Sequence, residues 1–371
     1  MKLSTNNWRQ KNASFMLNEL SSLVQMLPIS AHNDVTFLPE VGCYTYEIRK
    51  EWSISGYPNA GKGFSPDEAL VSGLMEAIEM CFVEKSAPLD WYSKDLSHYL
   101  STDNIDSSII LSESHIGLQR EFNLENIFVT ESNKNGLAQT KDLTNGLASG
   151  YSFEDALRHS IYELIERHMI GNNIYQAIDL SEISFIDSSF LDSISRNNIK
   201  LIIFDKGIFA DVYTFSCFLL YTPSDESDQY MGSFGFGSSN NPMIAIARSI
   251  SESMQLLSLS NACNNQMFGF GSVLTSPLFG YSSSVNNLFT ASKVLASQFF
   301  KFKSLYDASI DNFDPHSVNK CSNSLPSLEK IFSDLEQEGI QDLQSIEFTN
   351  NNLPFHIVRT FSYDLTNKWS I

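Results

Sequence analysis

One pattern occurs three times in this sequence, and it constrains the fold more than any other feature. Aligned on Ala69, Ala156 and Ala245, each copy places a glutamate seven residues on, at Glu76, Glu163 and Glu252, and then Glu79, Glu166 or Gln255 three residues later. A glycine stands upstream of each alanine, at Gly63, Gly150 and Gly237. Ser65 with Glu68, and Ser152 with Asp155, have the form of helix starts: a hydroxyl caps an orphan amide and an acid in the first turn favours the helix dipole. The copies recur every ~88 residues, longer than the roughly 20 to 50 residues of stacked repeats. That spacing predicts divergent duplication around one shared site rather than a solenoid.

Helical geometry sharpens the expectation. At ~100° per residue, positions three, seven and ten after each alanine lie within about 60° of one another. They hold Ser72, Glu76 and Glu79 in the first copy, His159, Glu163 and Glu166 in the second, and Arg248, Glu252 and Gln255 in the third. The opposite arcs are apolar: Leu70, Leu74 and Ile78; Leu157, Ile161 and Leu164; Ile246, Ile250 and Leu257. Each helix is therefore expected to pack one side on a core and to present a polar triad on the other. A single such face is the ordinary solvated side of an amphipathic helix. Three in the same phase, the third carrying Arg248 four residues before Glu252, point to convergence. Five carboxylates sharing one site repel each other unless hard cations neutralise them, and Mg²⁺ prefers oxygen ligands completed by phosphate and water. With Lys62, Arg167 and Arg248 near the cluster, the pattern reads as a Mg-nucleotide site.

Composition narrows the function classes. The chain has 24 Lys and Arg against 43 Asp and Glu, a net charge of −19, which repels phosphate backbones and anionic lipid. Neither nucleic-acid binding nor peripheral membrane attachment is expected. Cys43, Cys81, Cys217, Cys263 and Cys321 are scattered, the usage of reduced thiols in a cytoplasmic protein. The apolar runs 201–204 and 218–221 are too short to cross a bilayer, and residues 1–30 lack a secretory apolar core.

Along the chain, an amphipathic helix is expected over about 14–27 and strands over 44–54, 200–204, 212–221 and 355–361. A polar loop is expected over 304–324 and a helix over 325–338. Strands alternating with longer helices predict a mixed α/β (α+β) domain at 41–371, preceded by a short helical and extended segment at 1–40. Gly56 to Lys62 imitates a phosphate-binding loop, but Gly63 stands where the metal-binding hydroxyl belongs, so only Lys62 is retained as a phosphate contact. The run Gly232 to Gly237 is read as a strand end approaching a helix.

These residues resemble the motifs of the YcaO family. The likeness runs through Gly61-Lys62-Gly63, Ser72, Glu76 and Glu79; through Thr144-Asn145-Gly146, Gly150, Ala156, Glu163, Glu166 and Arg167; and through Gly235, Gly237, Pro242, Arg248, Glu252 and Gln255. It spans roughly residues 45 to 260. The resemblance implies a YcaO-like fold and an ATP- and Mg²⁺-dependent enzyme that phosphorylates a peptide backbone amide oxygen while a nucleophile attacks the carbonyl carbon. Azoline, thioamide or amidine follows according to the nucleophile. It implies that Glu76, Glu79, Glu163, Glu166 and Glu252 form the metal and triphosphate shell, and that Lys62, Ser72, Asp155, Arg167, Arg248 and Gln255 contact the nucleotide. Candidate catalytic groups are Arg167, Arg248 and the carboxylate of Ile371.

A ribosomally made precursor peptide as substrate, a separate leader-peptide-binding or TfuA-like partner, and a homodimer are further implications. Met80 departs from the family's usual Arg, and Tyr162 from a small residue. The ending Asn367-Lys368-Trp369-Ser370-Ile371 lacks the Pro-rich tail of many azoline-forming members. A non-catalytic scaffold, and a role linked to methylthiolation of a ribosomal protein, stand beside heterocyclisation and thioamidation as alternative readings.

Overall fold

A computed structural model describes residues 13–51, 59–101, 110–111, 113–117, 121–122, 127–128, 144–171, 175–224, 230–264, 288–319 and 325–365. In chain order the first elements are α1 (Ala13–Val24), β1 (Ile29–Asp34), β2 (Tyr44–Lys50), β3 (Asn59–Gly63), α2 (Pro66–Val83) and α3 (Lys94–Ser101). The short strands β4 (Ile110–Leu111), β5 (Glu113–Ser114) and β6 (Glu121–Phe122) follow, then β7 (Leu147–Gly150), α4 (Phe153–Ile170), β8 (Gln176–Ile178) and α5 (Ser188–Arg196). Next are β9 (Ile199–Phe209), β10 (Val212–Tyr221), β11 (Met231–Ser239), α6 (Pro242–Asn264) and α7 (Leu288–Ser309). The last are α8 (Pro315–Val318), α9 (Leu328–Gln337), β12 (Gln344–Glu347) and β13 (His356–Phe361).

Among the described residues the strands form antiparallel sheets in the orders β1-β2-β3, β11-β10-β9-β8 and β5-β12-β13-β7, with β4 and β6 as an extra pair. The fold is the expected α/β mixture. The polar run expected as a loop from residue 304 is instead helical to Ser309, because Phe299 is buried in α7 and Phe302 and Tyr306 pack against the same apolar cluster. The expected strand over 44–54 is observed as β2 to Lys50, and residues 52–58 lie outside the described set. No helix among the described residues is long and apolar enough to cross a membrane.

The three repeats fold as three strand-helix units: β3 with α2, β7 with α4, and β11 with α6. Both serine caps form, Ser65 Oγ accepting from the Glu68 amide and Ser152 Oγ from the Asp155 amide. The Glu68 carboxylate reaches back to the Phe64 amide at 2.7 Å, closing the first turn from the other side. The glycines explain why each strand lies directly on its helix. A Cβ on Gly61 would stand 1.9 Å from the Ala69 carbonyl oxygen, one on Gly150 2.3 Å from the Ala156 nitrogen, and one on Gly237 2.1 Å from the Ala245 carbonyl oxygen. Only a residue without Cβ allows that approach.

Each helix buries its apolar arc in a different core. Leu74 and Ile78 join the cluster built with α1, Phe82 and Phe348. Leu157, Ile161 and Leu164 pack with Ile331, Leu335 and Val358. Ile246, Ile250 and Leu257 pack with Phe215 and Cys217. Each helix also leans on the strand of the next unit: α2 on β7, α4 on β11, and α6 on β3. The three units thus close a ring, with cores outside and polar arcs turned inward.

Candidate functional site

The convergence expected from helical phase is present. Glu76 and Glu79 on α2, Glu163 and Glu166 on α4, and Glu252 on α6 share one electrostatic neighbourhood. Glu79 feels Glu76 and Glu163; Glu163 feels Glu166 and Glu252; Glu252 acts on Glu76 and Glu166. Lys62, Arg167 and Arg248 supply the opposing charge. Lys62 Nζ lies 3.2 Å from Glu252 Oε2, a bond between the first unit's strand and the third unit's helix. Arg167 stands 3.8 Å from Glu163, one turn along α4.

The electrostatics have a single dominant cause. Removing water from carboxylates raises their pKa, and this holds Glu79 up at about 8 and Glu163 at about 7. Nearby carboxylates push both higher, while Arg167 and Arg248 draw Glu163 back and a hydrogen bond from Ser149 draws Glu79 back. Glu166, the most enclosed of the five, is raised by burial and then by Glu252. Glu76 is the most solvent-accessible and is raised as well, because surrounding protein displaces part of its water; the Asn59 amide, Lys62 and the Ala60 backbone N–H oppose that.

The donor set fits the group the sequence implied. Among the described residues no three acidic, histidine or cysteine side chains are closed around one point as a finished cation cage. The carboxylates instead line an open arrangement of hard oxygen donors. Mg²⁺ keeps several waters and takes one or two carboxylates together with substrate phosphates, so an open set suits it better than a cage. Lys62, Arg167 and Arg248 are half-buried and sit where phosphate charge would be balanced.

The remaining expected residues divide. Gln255 reaches across the ring and donates to the Ala60 carbonyl of β3. Ser72 is half-buried one turn before Glu76. Asp155 pairs with Arg158 at 3.1 Å in the first turn of α4, so its carboxylate already has a partner. Gly61, Lys62 and Gly63 belong to β3 and pair with Tyr46, Thr45 and Tyr44 of β2, so they form a ladder and not a phosphate-cradling loop. Met80 is buried in the apolar cluster of α2 and brings no charge to the ring. Tyr162 is buried, and its hydroxyl donates to Asn240 at 3.0 Å. Cys43, Cys81 and Cys217 are buried free thiols. Ile371 and the preceding tail lie outside the described residues, as does Gly56.

Two functional contacts were not anticipated. Asn59 Nδ2 donates to Glu76 Oε1 at 3.2 Å, and Ser149 bonds Glu79. Asn59 shares the face of Gly61 two residues on, whereas Ser149 adjoins Gly150, so the two hold no common position in the repeat and its spacing does not point to them.

The fold and site define an α/β protein with three quasi-equivalent strand-helix units around one acidic cluster flanked by Lys62, Arg167 and Arg248. The family described as YcaO cyclodehydratase, ATP- and Mg²⁺-binding, matches residues 122–362, well over half of the sequence, and the chain belongs to that family. The family is ATP-dependent and uses Mg²⁺. The match takes in the second and third units; the first precedes it.

Two uncharacterized proteins of Mycobacterium tuberculosis are each 25% identical over 253 residues, covering 60% of this chain and 55% of theirs. The chain thus spans about half the length of the curated relatives it matches. The structure of YcaO from Methanopyrus kandleri bound with AMPPCP and Mg²⁺ superposes with a TM-score of 0.65 at 15% identity, covering 98% of this chain and 93% of that one. A heterocyclase in complex with substrate and cofactor gives 0.61 at 14% identity over 99% of this chain and 54% of its own. The E. coli microcin synthetase McbBCD complex with pro-MccB17 bound gives 0.56 at 14% identity, over 89% and 87%. At these identities the likeness is one of fold.

Proposed function

We propose that this protein activates peptide backbone amides in an ATP- and Mg²⁺-dependent reaction of the cyclodehydratase type. The reading rests on the inward convergence of Glu76, Glu79, Glu163, Glu166 and Glu252 with Lys62, Arg167 and Arg248, in a chain of the YcaO family. ATP supplies the phosphoryl group that turns an amide oxygen from a poor leaving group into a good one, and Mg²⁺ neutralises the charge that moves. The chain's own residues bind and orient. The five carboxylates hold the metal, while Lys62, Ser72, Arg167, Arg248 and Gln255 face the nucleotide. Arg167 and Arg248 are the candidates for stabilising the transferring group, with the carboxylate of Ile371 as a further candidate and Asp155 as a further nucleotide contact from the family likeness.

The substrate class is a ribosomally made peptide, modified by heterocyclisation or thioamidation. Structural neighbours described as a heterocyclase with substrate and a microcin synthetase with a bound precursor support a peptide substrate. The McbBCD complex supports a separate partner protein; that the partner is leader-binding or TfuA-like is proposed from the family likeness, as is a homodimeric enzyme.

The test is incubation with ATP, Mg²⁺, a candidate Cys/Ser/Thr-containing precursor peptide and a candidate partner protein. Phosphate release with loss of one water from the peptide marks a ring, and oxygen exchanged for sulfur marks a thioamide. Nucleotide binding with neither product, partner present, would instead support the scaffold reading. The apolar setting of Met80, where the family resemblance implies an arginine, is the observation that favours that second reading.

A further inference from the structure

Strand β3 alternates its faces between two helices. Asn59, Gly61 and Gly63 are buried, while Ala60 and Lys62 are half-buried on the other face and reach toward α6, through Gln255 and Glu252. At Gly61 and Gly63 the backbone of α2 is too close for any side chain. At residue 59 there is room for one, and a buried strand position under a helix ordinarily takes an apolar side chain. Here it is an amide only 6% exposed, whose Nδ2 donates to Glu76 Oε1 at 3.2 Å and whose buried Oδ1 accepts no hydrogen bond among the described residues. A buried amide with half its bonding capacity unused weakens a fold, so its presence calls for another reason.

From this geometry we infer that Asn59 is a positioning residue of the metal site: its amide pins one oxygen of Glu76 and turns the other toward the bound cation. The inference rests on the Mg-nucleotide reading of the ring. Glu76 needs such a support more than its companions, because it is the most exposed of the five carboxylates, and the Asn59 amide and the Ala60 backbone N–H are the groups of β3 that hold it against solvent. Second partners of this kind fix the orientation of metal-binding carboxylates. The adjacent Ala60 carbonyl, held by Gln255, anchors the same end of β3 to α6, so the pin does not drift with the strand.

The experiment is a Mg²⁺ titration of AMPPCP binding by calorimetry on the full chain, with thermal melting as a separate readout. Asn59→Ala should raise the Mg²⁺ concentration for half-maximal nucleotide binding by about tenfold or more. Asn59→Ser, whose hydroxyl is too short to span the gap, should do the same, and it carries the comparison should the alanine variant not fold. Both substitutions are repeated on a Glu76→Asp background, where the shortened carboxylate no longer meets the amide. There the further shift should vanish. An unchanged Mg²⁺ midpoint in the wild-type background, or an equal shift in both backgrounds, overturns the inference. Glu76→Gln is the control for the underlying reading: if it leaves nucleotide binding intact, the ring is not the nucleotide site, a result distinct from failure at Asn59 alone.

Discussion

Substituting Gly61 by alanine tests whether the closeness of strand and helix is what assembles the ring. The added Cβ would stand 1.9 Å from the Ala69 carbonyl oxygen and 2.1 Å from the Gly73 nitrogen. Both are backbone atoms of α2, so no side-chain rotation relieves the clash. Since Cβ atoms do not approach heavy atoms closer than ~3 Å, the helix must retreat by about 1 Å, an overpacking that costs roughly 3 kcal/mol and lowers the melting temperature by several degrees. The same retreat takes Glu76 away from Asn59, whose bond at 3.2 Å has little length to spare. Displacing a carboxylate from the partner that orients it should weaken Mg²⁺-dependent nucleotide binding by about tenfold or more.

The assay pairs thermal melting with calorimetric titration of Mg²⁺ and AMPPCP. Gly339→Ala is the control. Gly339 has φ +88° with open space around its Cβ position, so alanine there strains the backbone without moving α2. The expected pattern is lower stability in both variants, with loss of nucleotide affinity in Gly61→Ala only. Equal affinity in the two would refute the claim that the glycine contact sets the geometry of the acids.

The other expectations follow from the same geometry. Glu163→Gln should abolish Mg-nucleotide binding with circular dichroism unchanged. The folded metal-free chain keeps protons on Glu79 and Glu163 that the unfolded chain has lost, so its stability should fall as pH rises from about 4.5 to about 8. Excess Mg²⁺ should flatten that slope, and a denaturant series across this range checks both. Lys50 and Glu84 form a buried ion pair at 2.7 Å with side chains 1% and 0% exposed, away from the ring. Glu84→Gln should therefore cost about 3 to 5 kcal/mol of stability while sparing the Mg²⁺ midpoint for AMPPCP. Ser65→Ala and Ser152→Ala should each cost ~1 kcal/mol by removing an observed cap, measured by chemical denaturation.

Much of the site was legible because helical phase is a local property. The positions of Glu76, Glu163 and Glu252 relative to their alanines determine which side of each helix is acid, and the apolar arcs opposite determine that this side cannot face a core. Ser65 and Ser152 marked where two helices begin for equally local reasons. Less legible was the region after residue 304, where polar composition suggested a loop and the packing of Phe299, Phe302 and Tyr306 holds a helix together. The glycine-lysine run before α2 imitates a phosphate loop that Gly63 already argued against, and its pairing with β2 shows that residues 59–63 are a strand.

The sequence by itself determined three helices with acid on one side, the starts of two of them, and the glycines that let strands lie against them. Each is a matter of neighbouring residues and a helical period. Only the tertiary structure decided that the acid sides meet, since this depends on α2, α4 and α6 each leaning on the strand of the next unit and on their apolar arcs filling three separate cores. It also decided that Asn59 and Ser149 hold Glu76 and Glu79, contacts that cross between elements and have no signature in the spacing of any one of them.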